Sequence, residues 1–240
     1  ALGAAAHRGG LLPAAGALFG GRRLTVLAYH RVADPGHPGL EGYCRNVSAT
    51  PEGFARQMDY AAEHFHPVSL EQVEVALDGG PRLPRRPLLV TFDDGYETFY
   101  RGAWPVLRDL GVPATLFLPT AHIGSGRALP FDDWPWAGSP GVPPRFWRPL
   151  SWAQCRDISR DPLVEIGAHT HAHAAFYDRP EKLAGDLAEC MGILRAHFGE
   201  RPFAFALPFG TGCLGFPLER MAAAARGAGA TCALTTEPVV

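Results

Sequence analysis

Short apolar runs with strand character recur along this chain, at Leu24 to Ala28, Leu88 to Phe92, Ala114 to Leu118, Leu163 to Gly167, Phe203 to Leu207 and Thr231 to Thr235. The stretches between them have helical patterning. Thr50-Pro51 reads as an N-cap with proline in the first turn, opening a helix to about His64. Ser69-Leu70-Glu71-Gln72 and Ser151-Trp152-Ala153-Gln154 have the capping-box spacing, and further helices are expected near 97–110, 180–198 and 217–227. Strands alternating with helices favour a parallel sheet, open or closed into a barrel, because parallel neighbours need crossover connections. At 240 residues and 47% hydrophobic, the chain can bury one large core. One α/β domain over 22–240 is expected, with 1–21, rich in Ala, Gly and Leu, as a flexible arm.

A net charge of -2 supplies no electrostatic reason to expect a nucleic-acid or anionic-membrane partner. No apolar run approaches the ~18 residues of a membrane span. The five cysteines, Cys44, Cys155, Cys190, Cys213 and Cys232, form no C-x-x-C pair, so they read mostly as small buried hydrophobes, with room for a single disulfide. The chain starts at Ala1, so a removed targeting segment would place it in the cell envelope or outside the cell; otherwise the cytoplasm is expected.

Chemistry concentrates at the ends of the apolar runs. Thr91-Phe92-Asp93-Asp94-Gly95 closes one with paired carboxylates and a glycine that permits a sharp turn. Two adjacent acids raise each other's pKa when buried, and a divalent cation resolves the conflict: one carboxylate binds it and the other serves as base. Taken alone, the same triplet reads equally well as a surface turn. His169-Thr170-His171-Ala172-His173 offers two imidazoles four residues apart, which a helical turn would bring to one ion, with His171 on the other face as a bystander. His30 follows the first run and Pro208-Phe209-Gly210 the fifth. These groups all lie beyond the carboxyl ends of strands, where parallel α/β folds place their sites. The segment 119–150 is too long for an ordinary connection and reads as a surface excursion. Its Trp134, Trp136 and Trp147 could stack on sugar rings or simply pack the excursion down.

The pairing of Thr91-Phe92-Asp93-Asp94-Gly95 with His169-Thr170-x-x-His173 resembles the polysaccharide deacetylases of the NodB-homology type, carbohydrate esterase family 4, over about Leu24 to Thr236. The resemblance implies an irregular (β/α) barrel with fewer than eight regular strands. It also implies removal of N-linked acetyl groups from an N-acetylated amino sugar or polysaccharide by attack of a metal-bound water. Asp93 would be the general base and Asp94, His169 and His173 the ligands of one divalent ion, zinc first, with nickel, cobalt or iron as alternatives. The third family motif, Arg-x-Pro-Tyr-Gly, reads Ala206-Leu207-Pro208-Phe209-Gly210 here. Phe209 keeps a backbone N–H for the oxyanion, but Ala206 stands where the arginine that steadies the base would be. No Leu-x-His motif follows Phe209; Leu27-Ala28-Tyr29-His30 instead resembles the circularly permuted poly-N-acetylglucosamine deacetylases, making His30 the general acid. Taken by itself, His30 also reads as a satisfied core histidine. Tyr29, Pro208 and the three tryptophans are candidates for substrate contact. Two other readings remain: a same-fold amidohydrolase or O-acetyl esterase on a small substrate, and a silent carbohydrate-binding relative.

Overall fold

A computed structural model describes residues 23–33, 48–132, 134, 136–177, 179–210 and 218–236. The expected 1–21 arm, Cys44 and Cys213 lie outside these. The described chain runs β1 (Thr25–Tyr29), β2 (Arg31–Val32), β3 (Ser48–Ala49), α1 (Pro51–His64), β4 (His66–Pro67), α2 (Leu70–Leu77) and β5 (Pro87–Phe92). A π-helical turn, Phe99–Ala103, leads into α3 (Trp104–Leu110) and β6 (Ala114–Leu118). After the long segment come α4 (Trp152–Ile158), β7 (Val164–Ala168), α5 (Pro180–Phe198), β8 (Phe203–Ala206), α6 (Leu218–Gly227) and β9 (Ala230–Leu234). Where one helix was expected over 97–110, Pro105 has no N–H to offer the ladder and the first turn widens, with Trp104 N–H reaching back to Phe99 O.

The main sheet has the order β1-β5-β6-β7-β8-β9, with β4 also on β5, and every pairing is parallel. It is the irregular (β/α) barrel, open between β1 and β9 among the described residues. Alternation along the strands divides the core. Leu88, Val90 and Phe92 of β5, and Leu116 and Leu118 of β6, face the helices with Phe54 and Met58 of α1. Leu89, Phe117, Ala204 and Ala206 face the lumen. Both faces are thus buried, which is why these strands are continuously apolar.

Gly167 is where Phe117 needs space: a Cβ there would lie 2.5 Å from the Phe117 ring and 3.1 Å from Ala204 O. One end of the lumen is stoppered by α2, whose Leu70 and Val73 join the lumen cluster. The Glu165 carboxylate, on β7, accepts the Leu70 and Glu71 N–H groups at 2.6 and 2.9 Å, a charge placed where a helix N-terminus favours an anion. Ser69 and Ser151 both complete capping boxes, and the Thr50 hydroxyl accepts the Gly53 N–H. Cys155, Cys190 and Cys232 are free thiols.

Segment 119–150 is fastened at its return. Glu97 N–H donates to Arg148 O and Leu150 N–H to Gly95 O, tying it to the turn after β5. The Glu97 carboxylate is fully buried and accepts from Arg148, Arg101 and Gln154. Burial alone would raise its pKa, but these donors outweigh it and hold the group at about 2, against 4.5 for a free glutamate. A depressed carboxylate pKa stabilises the fold above the unfolded value, and that share is lost as pH falls from about 4.5 toward 2. Glu97→Gln is therefore expected to cost roughly 2 kcal/mol at neutral pH, less than the ~3–5 of a fully buried pair because both arginines keep solvent access. Its melting temperature should also fall less than the wild type's between about pH 5 and pH 3, read by thermal melts across that range.

Candidate metal centre and active site

The strand ends deliver the site. Beyond β5 the Asp93 N–H donates to Tyr29 O, the last residue of β1, which fixes the carboxylate pair beside His30. Asp94 and Gly95 both adopt positive φ, 68° and 63°, and the turn packs so tightly that a Cβ on Gly95 would meet Leu118 and Ile123 at 2.8 Å. Beyond β7 the His169 N–H donates to Leu118 O.

The next residues form no helical turn, so the geometry expected for His169 and His173 is corrected. Thr170 and His173 take left-handed φ of 64° and 51°. The Thr170 hydroxyl accepts the His173 N–H, and the Asp186 carboxylate of α5 accepts the His171 and Ala172 N–H groups. His171 stays out of the donor cluster, as expected, and is held elsewhere: Nδ1 pairs with the Thr120 hydroxyl at 3.0 Å and Nε2 lies 3.4 Å from Glu189, pinning the loop to its surroundings. Among the described non-glycine residues, four of the six with positive φ are Asp94, Thr170, His173 and Phe209, so backbone strain collects at this mouth.

Asp94 Oδ1 lies 3.1 Å from His173 Nε2 and 3.6 Å from His169 Nε2, and the two Nε2 atoms are 3.1 Å apart. All three residues are buried. Ligands about 2.0–2.1 Å from a tetrahedral ion stand roughly 3.3 Å from one another, so the donor atoms have the spacing such an ion requires. A proton can bridge only one of these pairs, whereas a divalent cation satisfies all three; the residues fit the group.

The Asp94 carboxyl would be raised by burial, but the His173 contact and the nearby His30, His169 and His173 hold it at about 2. Burial lowers the His169 pKa, which favours the neutral imidazole that a metal ligand needs. Its Nδ1 meets Ala206 O at 2.8 Å, leaving Nε2 free to face the cluster. The residue at the arginine position thus acts through its backbone. Asp93 Oδ1 is buried without a hydrogen-bond partner among the described residues, and its charge is felt at His169. His30 Nε2 lies 3.8 Å from Asp94 Oδ2, its ring partly exposed.

The remaining candidates divide. Tyr29 belongs to the core: its hydroxyl donates to Gln57, its ring stacks on Phe92, and burial raises its pKa to about 12. It offers no surface to a substrate. Trp134 and Trp147 pack a small cluster with Ala33, Val142 and Phe146, which is the packing alternative for these two. Trp136 and Phe209 are each 44% exposed, whereas Pro208 is buried. Two features escaped the sequence reading. One is a buried ion pair between Arg31 and Asp132; the other is Phe131, whose ring stacks on His173. An arginine directly after a strand-end histidine was the available signal.

Comparison with known proteins supports the fold and family. A poly-β-1,6-N-acetyl-D-glucosamine N-deacetylase of Escherichia coli K12 is 32% identical over 127 residues, 52% of this chain and 18% of that protein. Its namesake in Staphylococcus epidermidis is 33% identical over 175 residues, 69% of this chain and 55% of that protein. The chain therefore spans only part of these relatives. The structure of IcaB from Ammonifex degensii superposes with a TM-score of 0.70 at 27% identity, covering 90% of this chain and 84% of that one. The Streptococcus pyogenes deacetylase PplD, solved with acetate, also reaches 0.70, at 20% identity and over 89% and 84% of the two chains, a likeness of fold. Residues 80–233 match the sequence profile described as polysaccharide deacetylase, a span that holds the paired acids, both cluster histidines and Phe209. On that match, with a barrel whose strand ends carry this cluster, the chain belongs to the polysaccharide deacetylase family.

Proposed function

We propose that this protein removes acetyl groups from the nitrogens of a β-1,6-linked N-acetylglucosamine polymer, using a divalent ion held by Asp94, His169 and His173. The observation that carries the reading is the convergence of those three donor atoms beside Asp93 and His30 at one end of a parallel sheet. The substrate class is taken from the names of the relatives matched above.

A zinc-like ion bound there would supply a Lewis acid for the acetyl carbonyl and acidify a water beside it. Asp93, with an oxygen that no described residue occupies, accepts the proton that the attacking water gives up. The carbonyl oxygen gains charge as the water adds. The Phe209 N–H sits in a turn closed by Gly210 N–H to Leu207 O, and donates to that oxygen. Collapse needs a proton on the departing nitrogen, because an amine anion is far too basic to leave. His30 gives it, and acetate and a free amino sugar result. Phe209 and Trp136 offer exposed rings on which sugar units can stack.

Acetate release from β-1,6-linked N-acetylglucosamine oligomers is the test, run with zinc, nickel or cobalt and after chelation. Release that needs the ion is expected. No release from any N-acetylated glycan by the metal-loaded protein would overturn the reading, and release only from O-acetylated sugars would replace it with an esterase.

A further inference from the structure

His169 and His173 aim the same atom at the same point but are held differently. The His169 ring is fixed by its Nδ1 contact with Ala206 O. His173 Nδ1 is buried without a hydrogen-bond partner among the described residues. Metal-binding imidazoles are usually oriented by a hydrogen bond from the nitrogen that faces away from the ion, so His173 needs another support.

Its ring is clasped by aromatics. Phe131 lies on its face, centroids 3.5 Å apart and planes 19° from parallel, and Phe209 meets it near edge-on at 5.0 Å. His122 contacts the Phe131 ring at 5.3 Å, and its own Nε2 lies 3.2 Å from Ala172 O, in the His173 loop. Phe131 comes from segment 119–150, not from the barrel. What seats it there is its neighbour: the Asp132 side chain is 1% exposed and pairs with Arg31, 3% exposed, the residue directly after His30. Asp132 also accepts the Trp134 N–H at 3.0 Å, and the Arg31 guanidinium lies 4.0 Å above the Tyr96 ring. A buried ion pair gains little net stability, but separating its partners leaves a buried charge uncompensated, so the two segments it joins are held with these groups together.

We infer that Phe131 is a positioning residue for the metal ligand His173, with the buried Arg31–Asp132 pair as the anchor that sets it on the imidazole. The inference rests on the metal-site reading above. It assigns the long segment a part in building the centre as well as in bordering the substrate.

The test is zinc titration calorimetry on the whole chain, without substrate. Phe131→Ala is expected to weaken zinc binding about 10- to 100-fold, the usual cost of losing an outer support of a ligand. Phe131→Tyr, which keeps the ring face, should stay within about threefold of wild type. Asp132→Asn should also weaken binding, and the double variant should be no weaker than Phe131→Ala alone, because the anchor acts through the ring. Phe131→Ala with wild-type affinity overturns the inference while leaving the deacetylase reading intact, as do losses from the two sites that simply add. Normal zinc binding without acetate release has the opposite effect, sinking the substrate reading and sparing the positioning role. A wild-type chain that binds none of zinc, nickel or cobalt overturns both. The Phe131 arm does not depend on Asp132→Asn folding, and thermal melts of each variant report whether it folds.

Discussion

Asp93→Asn is expected to lower acetate release about 10²- to 10⁴-fold while leaving zinc affinity nearly unchanged, since an amide of the same shape cannot take up a proton. The separation of rate from metal binding is the informative part. Asp93 is not one of the three converging donors, and it approaches the centre only closely enough for its charge to be felt at His169. His30→Ala supplies the complementary arm. His30→Ala is expected to lower acetate release by a comparable factor with zinc affinity nearly unchanged, since the departing nitrogen then lacks its proton donor. Full activity in His30→Ala would remove the acid role from His30 and leave the rest of the mechanism standing. An Asp93→Asn enzyme at wild-type rate would remove the base.

The second large effect is on metal-linked stability. A ligand that binds only the folded state stabilises it by RT ln(1 + [L]/Kd), about 4 kcal/mol at a thousandfold excess over Kd. At roughly 2–4 °C per kcal/mol for a chain of this size, zinc should raise the wild-type melting temperature on the order of 10 °C. Asp94→Asn and His169→Ala should abolish most of that rise. Without metal both variants should melt below the wild type, for different reasons. Asp94 is a buried carboxylate whose ionised form is favoured by the facing imidazoles, holding its pKa at about 2, so Asp94→Asn should melt below the wild type at neutral pH even though asparagine tolerates the φ of 68°. His169→Ala removes a buried ring and its contact with Ala206 O, and should melt below the wild type for that loss. Scanning calorimetry with excess zinc and with a chelator reads all four quantities. A zinc-dependent rise that survives in both variants would show that the ion sits elsewhere.

Much of the fold was legible because its signals are local. Ala114–Leu118 is a strand at the limits expected from its apolar run, and Ser69 and Ser151 cap the helices their spacing indicates. The helix over 97–110 keeps the bounds its pattern indicates, but the π-helical stretch at Phe99–Ala103 inside it is not something an apolar pattern registers, because the missing donor at Pro105 acts only once the turn is built. At the site, side chains next to strand ends could be named from sequence, since a parallel sheet brings strand ends together whatever the intervening loops do. Tyr29 misled for the same reason: one residue before His30, its side chain turns to Phe54 and Phe92.

The sequence by itself determined which candidate groups gather and at which end of the sheet they stand, because motif spacing and strand periodicity are properties of neighbouring residues. Only the tertiary structure decided how those groups are held. The left-handed turns at Thr170 and His173, the Asp186 carboxylate on the histidine loop and the Ala206 carbonyl behind His169 each depend on backbone paths that no local pattern encodes. The same holds for Phe131 on His173, set by an Arg31–Asp132 pair that joins residues 101 positions apart. Contacts of that kind exist only once the fold has brought β2 against the long segment, where a buried charge must find its partner or not be buried at all.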